Sequence, residues 1–458
     1  MSDVSVIAFI VVLWERLAAK NGSRVATFVR RFTPSPRGAY AALASLPLLL
    51  LTQVALLALQ SHYDNTRSGS AWLKALPMPV FDGDHGSANF DPVTATVGFG
   101  IGALETIALG LVLLALAEGV VISCRMLVFA IGALAVVSLA TPLLSTTDPY
   151  EYVATGLLGF AAYAPPHDAF AGSIYASIAR VIPLDGVIYG PLWVLVDTVQ
   201  TWFGATIVQK IEALRVTNLV FVLALLQVLR ACRVPRAMVV AVALNPVVWF
   251  YTVANPHADI QGLLFVGAAF YFARRSNTVL AVVCIAAAGL IKLPYVVIGG
   301  VMLSPLRNPV SRVAAWGAAV ASVLGISYVV QGHSYVHDVS TFAAVKSVSN
   351  WSNGWMFVLP VVVAAVFALL AFGKGSRGIA LLFNQAGPMA APWYLYWGLP
   401  YALVSGAGEA YLVAMPLIAT LREDMFELLL IKKVLIFLLL GAFAVDQFWY
   451  RRPRVVAV

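Results

Sequence analysis

The sequence predicts an all-α polytopic membrane protein, and three observations carry that expectation. Only 11% of the 458 residues are charged while 61% are hydrophobic, whereas a soluble domain clothes its surface with about 25% charged residues. Mean hydropathy is +0.88. Apolar runs of roughly 15–25 residues recur along the chain, the length of helix that crosses a hydrocarbon core about 30 Å thick. The runs are continuous and do not alternate, which argues against a β-barrel. We expect about 13 transmembrane helices, between roughly 11 and 14, in a single integral membrane domain over residues 1–458.

The net charge of +8 does not point to nucleic acid. Arginine and lysine gather in short loops, as the positive-inside bias requires. Three cysteines, Cys124, Cys232 and Cys284, lie far apart in or beside apolar runs, with neither metal spacing nor a disulfide framework. The first apolar run, Val4 to Trp14, is short for a span and lacks a small-residue cleavage site, so it reads as an interfacial segment and not a signal peptide. The basic stretch from Lys20 to Arg37 is expected inside. From there Ala41–Gln60 goes out, Thr94–Val121 returns to Arg125, and Met126–Leu144 goes out again. That alternation puts Asp148 and Glu151 on the outer face.

Residues 147–215 are interrupted by prolines, aromatics and carboxylates, and read as an outer loop with one or two amphipathic helices lying in the interface. Arg230, Arg233 and Arg236 between Val216–Val228 and Ala237–Val253 belong inside, which sets Arg215 outside and forbids a net crossing by residues 187–205. Ile260–Phe272, Thr278–Ile291, Val296–Leu303, Val313–Val330, Trp355–Phe372, Ile379–Ala391 and Leu435–Tyr450 continue the series, with residues 393–420 either one span or a broken pair. The longest loops, 61–93, 147–190 and 331–354, all fall outside, and function is expected there.

Five stretches could carry chemistry. In STTDPYEYVATG (145–156) the carboxylates Asp148 and Glu151 alternate with Tyr150 and Tyr152. A carboxylate partly desolvated at a bilayer surface is a stronger base; equally, Asp148-Pro149 suits a helix cap followed by proline at the first helical position. In NPHAD (255–259), Asn255, His257 and Asp259 stand at a span boundary, where ionisable groups suggest function, although Asn255-Pro256 could also cap a helix. His257 and Asp259, two apart, would not share one helix face and do not by themselves make a metal site. Lys292 of GLIKLPY ends an apolar run on the expected outer side; it could snorkel or meet a lipid phosphate as a lone cation. APWYLYW ending at Trp397 holds Trp393 and Tyr394, as an aromatic belt or a stacking wall for a sugar or isoprenoid. Tyr189-Gly190-Pro191 reads as a turn that starts an interfacial helix. GFGIG (98–102) lacks a following Lys-Ser/Thr and is no phosphate loop.

In order, these pieces resemble the GT-C superfamily of glycosyltransferases, and most of all the bacterial polyprenol-phosphomannose-dependent mannosyltransferases. The resemblance rests on STTDPYEYVATGLL (145–158), Ala164-Pro165, YGPL (189–192), LNP (244–246) with NPHAD, KLP (292–294) and PWYLYW (392–397), and covers roughly residues 140–400. Two departures stand out: Ala391 replaces a frequent histidine, and APP replaces Asn-Pro-Tyr. The resemblance implies Asp148 as catalytic base, substrate or headgroup contact from His257 and Asp259, and Lys292 near the lipid phosphate. Beside it, Glu151 is expected to orient the acceptor or help the base, and Tyr150, Tyr152, His167, Tyr189, Asn255, Trp393 and Tyr394 are expected to contact substrate.

The expected function is transfer of a sugar, mannose or another hexose, from a polyprenyl-phosphate donor to a lipid or glycan hydroxyl, with inversion. It would occur at the outer face of a bacterial inner membrane. Phosphate leaves well, so no cofactor, nucleotide or obligatory metal is required, and nucleic acid is no partner. Asp82, Asp84 and Asp91 of the first outer loop are rival bases. The competing class is a transporter or flippase of lipid-linked solutes, with Glu105, Glu118 and Asp259 as its midspan carboxylates; the sequence has no internal repeat of the kind transporters carry.

Overall fold

A computed structural model describes residues 92–117, 122–141, 146–181 and 189–332, with the separate positions 77–78, 144, 187, 396, 398–400, 412 and 415–416. Among these residues the fold is helical with no β-strand. The helices are α1 (Pro92–Ala117), α2 (Cys124–Leu139), α3 (Asp148–Leu158), α4 (Pro191–Thr201), α5 (Ile207–Ala231), α6 (Arg236–Leu244), α7 (Pro246–Ala254), α8 (Asp259–Arg274), α9 (Thr278–Ile291), α10 (Pro294–Met302) and α11 (Pro309–Gln331). Two described helices, α5 and α11, are long and apolar enough to cross a membrane, and the bent pair α6–α7 makes a third if it is one span. The spans expected at Ala41–Gln60, Trp355–Phe372, Ile379–Ala391 and Leu435–Tyr450 lie outside the described residues, as do Asp82, Asp84, Asp91, Trp393 and Tyr394.

Several boundaries differ from the sequence reading, each for a local reason. The helix expected at Val216–Val228 begins at Ile207, because Thr206 and Gln209 close a capping box: Gln209 N donates to Thr206 Oγ1 (3.3 Å) and Thr206 N to Gln209 Oε1 (3.1 Å). Arg215, expected at the end of the outer loop, lies within α5 and is fully buried. The span Ala237–Val253 is broken at Asn245-Pro246, with a bend of 51° between α6 and α7. Proline supplies no N–H and breaks the ladder. Neighbours repair it: Asn245 Oδ1 accepts from Val247 N (3.1 Å), and the Trp249 indole donates to Ala243 O (2.8 Å). From Trp249 to Ala254, α7 is a π-turn.

Two capping expectations are corrected. The cap position before α3 is Thr147, with Asp148 the first helical residue. Asn255 does not start α8, which begins at Asp259 after Ala258; its side chain instead donates to Phe250 O (3.1 Å), closing the π-turn. The Tyr189-Gly190-Pro191 turn does start α4, with Gly190 in the cap position. Eleven residues rise only about 17 Å, so α4 makes no crossing. It buries Trp193, Val194 and Asp197 and exposes Leu195 and Val199.

Two apolar cores meet beneath α3. The larger unites α1, α2 and α5 to α11. The smaller joins α3, α4 and the start of α5 with Met78, Leu144, Ala258 and Ile291. Ala258 and Ile291 adjoin His257 and Lys292 in sequence, so the polar motifs lie on the seam between the cores. Within the smaller core, α3 and α4 cross closely at Gly156, where a Cβ would stand 2.5 Å from Thr201 Cγ2 and 2.6 Å from the Asp197 carbonyl oxygen. Gly156→Val is expected to force α3 and α4 apart and to cost about 1–3 kcal/mol, read as a lowered unfolding temperature of the detergent-purified protein; an unchanged temperature would refute the crossing.

Candidate functional site

The site assembles where three helix ends converge. Asp148 opens α3, His257 lies between α7 and α8, and Lys292 closes α9. His257 Nε2 lies 3.4 Å from Asp148 Oδ2; the imidazole is fully buried while the carboxylate keeps 26% exposure. The histidine's other nitrogen is surrounded by main chain: Nδ1 is 3.0 Å from Tyr251 O and 2.9 Å from Asn255 O. Both neighbours accept only, so Nδ1 carries a hydrogen. His257 Nε2 is thereby aimed at the Asp148 carboxylate across 3.4 Å.

The second pair is Lys292 with Asp259. Nζ lies 3.3 and 3.2 Å from the two carboxylate oxygens, and both side chains are buried. The Tyr295 hydroxyl reaches the main-chain oxygen (2.9 Å) and a carboxylate oxygen (3.1 Å) of Asp259. Lys292 is thus no lone cation; it has an internal anion and also stands 5.4 Å from the centre of the Tyr189 ring. Removing either member of such a pair leaves an uncompensated buried charge, which costs about 3–5 kcal/mol.

Tyrosines bridge the pairs. Tyr152 and Tyr189 share a hydrogen bond of 3.1 Å, and the Tyr152 ring meets Trp193 and His257 edge-on at 5.1 and 6.5 Å. Burial, then the Tyr189 hydroxyl and the Asp148 charge, raise the Tyr152 phenol well above its ordinary value, so it serves as a neutral hydrogen-bonding group. Tyr189 is set by its neighbour. Gly190 N donates to Ile291 O (3.1 Å), and a Cβ on Gly190 would stand 2.2 Å from Leu290 O; only glycine allows the α4 turn to approach α9 this closely.

Of the residues singled out from sequence, Asp148, Tyr152, Tyr189, His257, Asp259 and Lys292 are brought together. Asn255 supports them by holding His257 Nδ1 with its main-chain oxygen. Tyr150 serves elsewhere: it is fully buried, and its hydroxyl donates to Met78 O (2.6 Å) and accepts from Met78 N (2.8 Å). Glu151 is half-buried one turn into α3, and His167 is exposed on the loop after Pro165-Pro166. Among the described residues no group of three or more histidines, cysteines and carboxylates could hold a metal ion.

The family described as alpha-(1→6)-mannopyranosyltransferase, N-terminal domain, matches residues 48–307, more than half of the chain. The chain belongs to that family. It is accordingly a membrane protein of mannosyl-transferring glycosyltransferase type, as the sequence motifs implied. The matched span holds both polar pairs of the site and every described helix except α11, so the family signal and the polar seam coincide. No curated protein and no solved structure matches the chain.

Sequence reasoning missed Asp197. It is buried on α4 against Gly156 of α3. Burial first, and the charge of Glu151 second, push its carboxyl well above the usual carboxylate range, partly offset by the Gly156 backbone N–H. The only signal was one acidic residue among apolar ones in PLWVLVDTVQT. Because the folded value is raised, the folded state holds this proton more tightly than the unfolded chain. That contribution is full below the ordinary carboxyl value and fades as pH rises through the folded one. Asp197→Asn is therefore expected to raise the apparent unfolding temperature at neutral pH, with the gain shrinking on acidification; a loss of stability at neutral pH would contradict it.

Proposed function

We propose that the chain transfers mannose from a polyprenyl-phosphate donor to a hydroxyl of a lipid or glycan acceptor at the outer face of a bacterial inner membrane. Asp148 is the base. The observation that carries the reading is the Asp148–His257 contact of 3.4 Å, a partly exposed carboxylate backed by a buried imidazole. A base must reach substrate on one side and be held on the other, and this pair meets both needs.

In the proposed reaction the acceptor hydroxyl oxygen attacks the anomeric carbon as its proton passes to Asp148. The bond from that carbon to the phosphate oxygen breaks, and its electron pair leaves with the polyprenyl phosphate. The step inverts the anomeric centre, so an α-(1→6) product, the linkage in the family description, requires a β-linked donor. Lys292 stabilises the charge that grows on the leaving phosphate. It does so from its place beside Asp259 and the Tyr189 ring, so approach of a phosphate shifts an existing ion pair and does not fill an empty cation site. Glu151 orients the acceptor, and Tyr152 and Tyr189 line the path between base and cation. The scheme calls for no nucleotide and no metal.

Purified protein given radiolabelled polyprenyl-phosphomannose and a mannoside lipid acceptor should form product, and Asp148→Asn should slow that transfer by about 100- to 10,000-fold. Undiminished transfer by Asp148→Asn would remove the base, and would direct the search to Asp82, Asp84 and Asp91. Solute counterflow without transfer would replace the enzyme reading with a transporter. Lys292→Gln should raise the donor KM more than the acceptor KM; equal effects on the two would exclude a phosphate contact.

A further inference from the structure

We propose that Arg215 and Asn218 of α5 are positioning residues that set the geometry of the Asp148–His257 pair. The proposal rests on the assignment of Asp148 as base. Arg215, fully buried, reaches three partners: Nε donates to Ala254 O (2.8 Å), Nη1 to Thr141 O (2.6 Å), and Nη1 also to Glu212 Oε1 (2.7 Å). Ala254 is the last residue of α7, shortly before His257; Thr141 follows α2 on the way to Asp148. One guanidinium therefore grips both segments that deliver the pair. Asn218 lies one turn further along the same face. Its Nδ2 donates to Thr252 O (2.9 Å) and to His257 O (3.0 Å), and Gln261 Nε2 reaches its Oδ1 (3.4 Å).

The choice of carbonyls has a physical reason. The last turn of a helix leaves its carbonyls without intrahelical partners and carries partial negative charge. Inside an apolar chain no water is at hand to meet them. The Arg215 guanidinium satisfies one such carbonyl, Ala254 O, together with Thr141 O just beyond α2, in a fixed fork; the Asn218 amide satisfies another, Thr252 O, together with His257 O on the exit from the π-turn. Tyr251 O and Asn255 O, which hold His257 Nδ1, belong to the same π-turn and its exit. The Arg215–Asn218 face thereby fixes the imidazole on its Nδ1 side and sets how far Nε2 stands from Asp148. Both residues are buried, so both act through the pair.

The test uses full-length protein in nanodiscs, with Arg215→Lys and Asn218→Asp made separately and folding checked by size-exclusion and unfolding temperature. Two readouts are taken. The first is the nitrogen resonances of His257 in histidine-labelled protein, assigned by their loss in His257→Gln. The second is the pH profile of kcat and the acceptor KM for transfer from radiolabelled polyprenyl-phosphomannose. Wild type should give the signature of hydrogen fixed on Nδ1. Each folded variant should move that signature, displace the acid limb of the pH profile and lower kcat by about 10- to 100-fold, with KM nearly unchanged. If Arg215→Lys does not fold, Asn218→Asp decides. Wild-type resonances with a wild-type pH profile in a folded variant overturn the proposal. If wild type transfers no mannose, the assignment of function fails, and the resonances alone still decide the positioning.

Discussion

The constraint on which this structure turns is the need to satisfy main-chain polar groups inside an apolar chain. The helix that begins at Arg236 breaks at Pro246 and ends in a π-turn at Ala254. Each irregularity frees carbonyls that lipid and apolar side chains cannot bond. The chain answers with side chains: Trp249 on Ala243 O, Arg215 on Ala254 O, Asn218 on Thr252 O. Tyr396, far along the sequence, adds a donor to Val247 O (2.7 Å) while accepting from Thr252 Oγ1 (2.7 Å). The break that costs these repairs also places Tyr251 O and Asn255 O around one nitrogen of His257. The requirement that orders the backbone therefore orders the site.

The two polar pairs of the site differ in a way that fits different tasks. Asp148–His257 joins a buried ring to a partly exposed carboxylate, so one side of the pair is held and the other is reachable. Lys292–Asp259 is buried on both sides and further fixed by Tyr295. A buried pair of that kind is weak evidence for stability, and its retention on the seam between two cores suits a group that must hold charge ready at a set position. Between the pairs, Tyr152 and Tyr189 share one hydrogen bond, with Tyr152 edge-on to the His257 ring and Tyr189 beneath Lys292.

Much of the site was legible as motifs. DPYEY, NPHAD, KLP and YGP each named residues that converge, and all four lie within residues 48–307 that the family match covers. What the motifs could not give was pairing. Asp148 and His257 are more than a hundred residues apart, and no periodicity links them. Lys292 looked like a solitary cation because its anion, Asp259, lies in another motif. Tyr150 looked equivalent to Tyr152, yet helical geometry turns it toward Met78. Arg215 was read as a marker of topology, since charge at the edge of an apolar run ordinarily means a loop.

The sequence by itself determined the class: a helical membrane chain, because apolar runs of this length and so few charges admit no other solvent. It also determined the local stops, because proline at 149, 191, 246 and 294 must open or break helices wherever it stands. Helix α9 was read at its observed ends, Thr278 and Ile291, where Asn277 caps its start and Pro294 follows its end. Tertiary structure alone decided the partners. Whether Arg215 meets water or two helix ends, and whether His257 meets a substrate or Asp148, depends on which termini the packing of the two cores brings within hydrogen-bond reach.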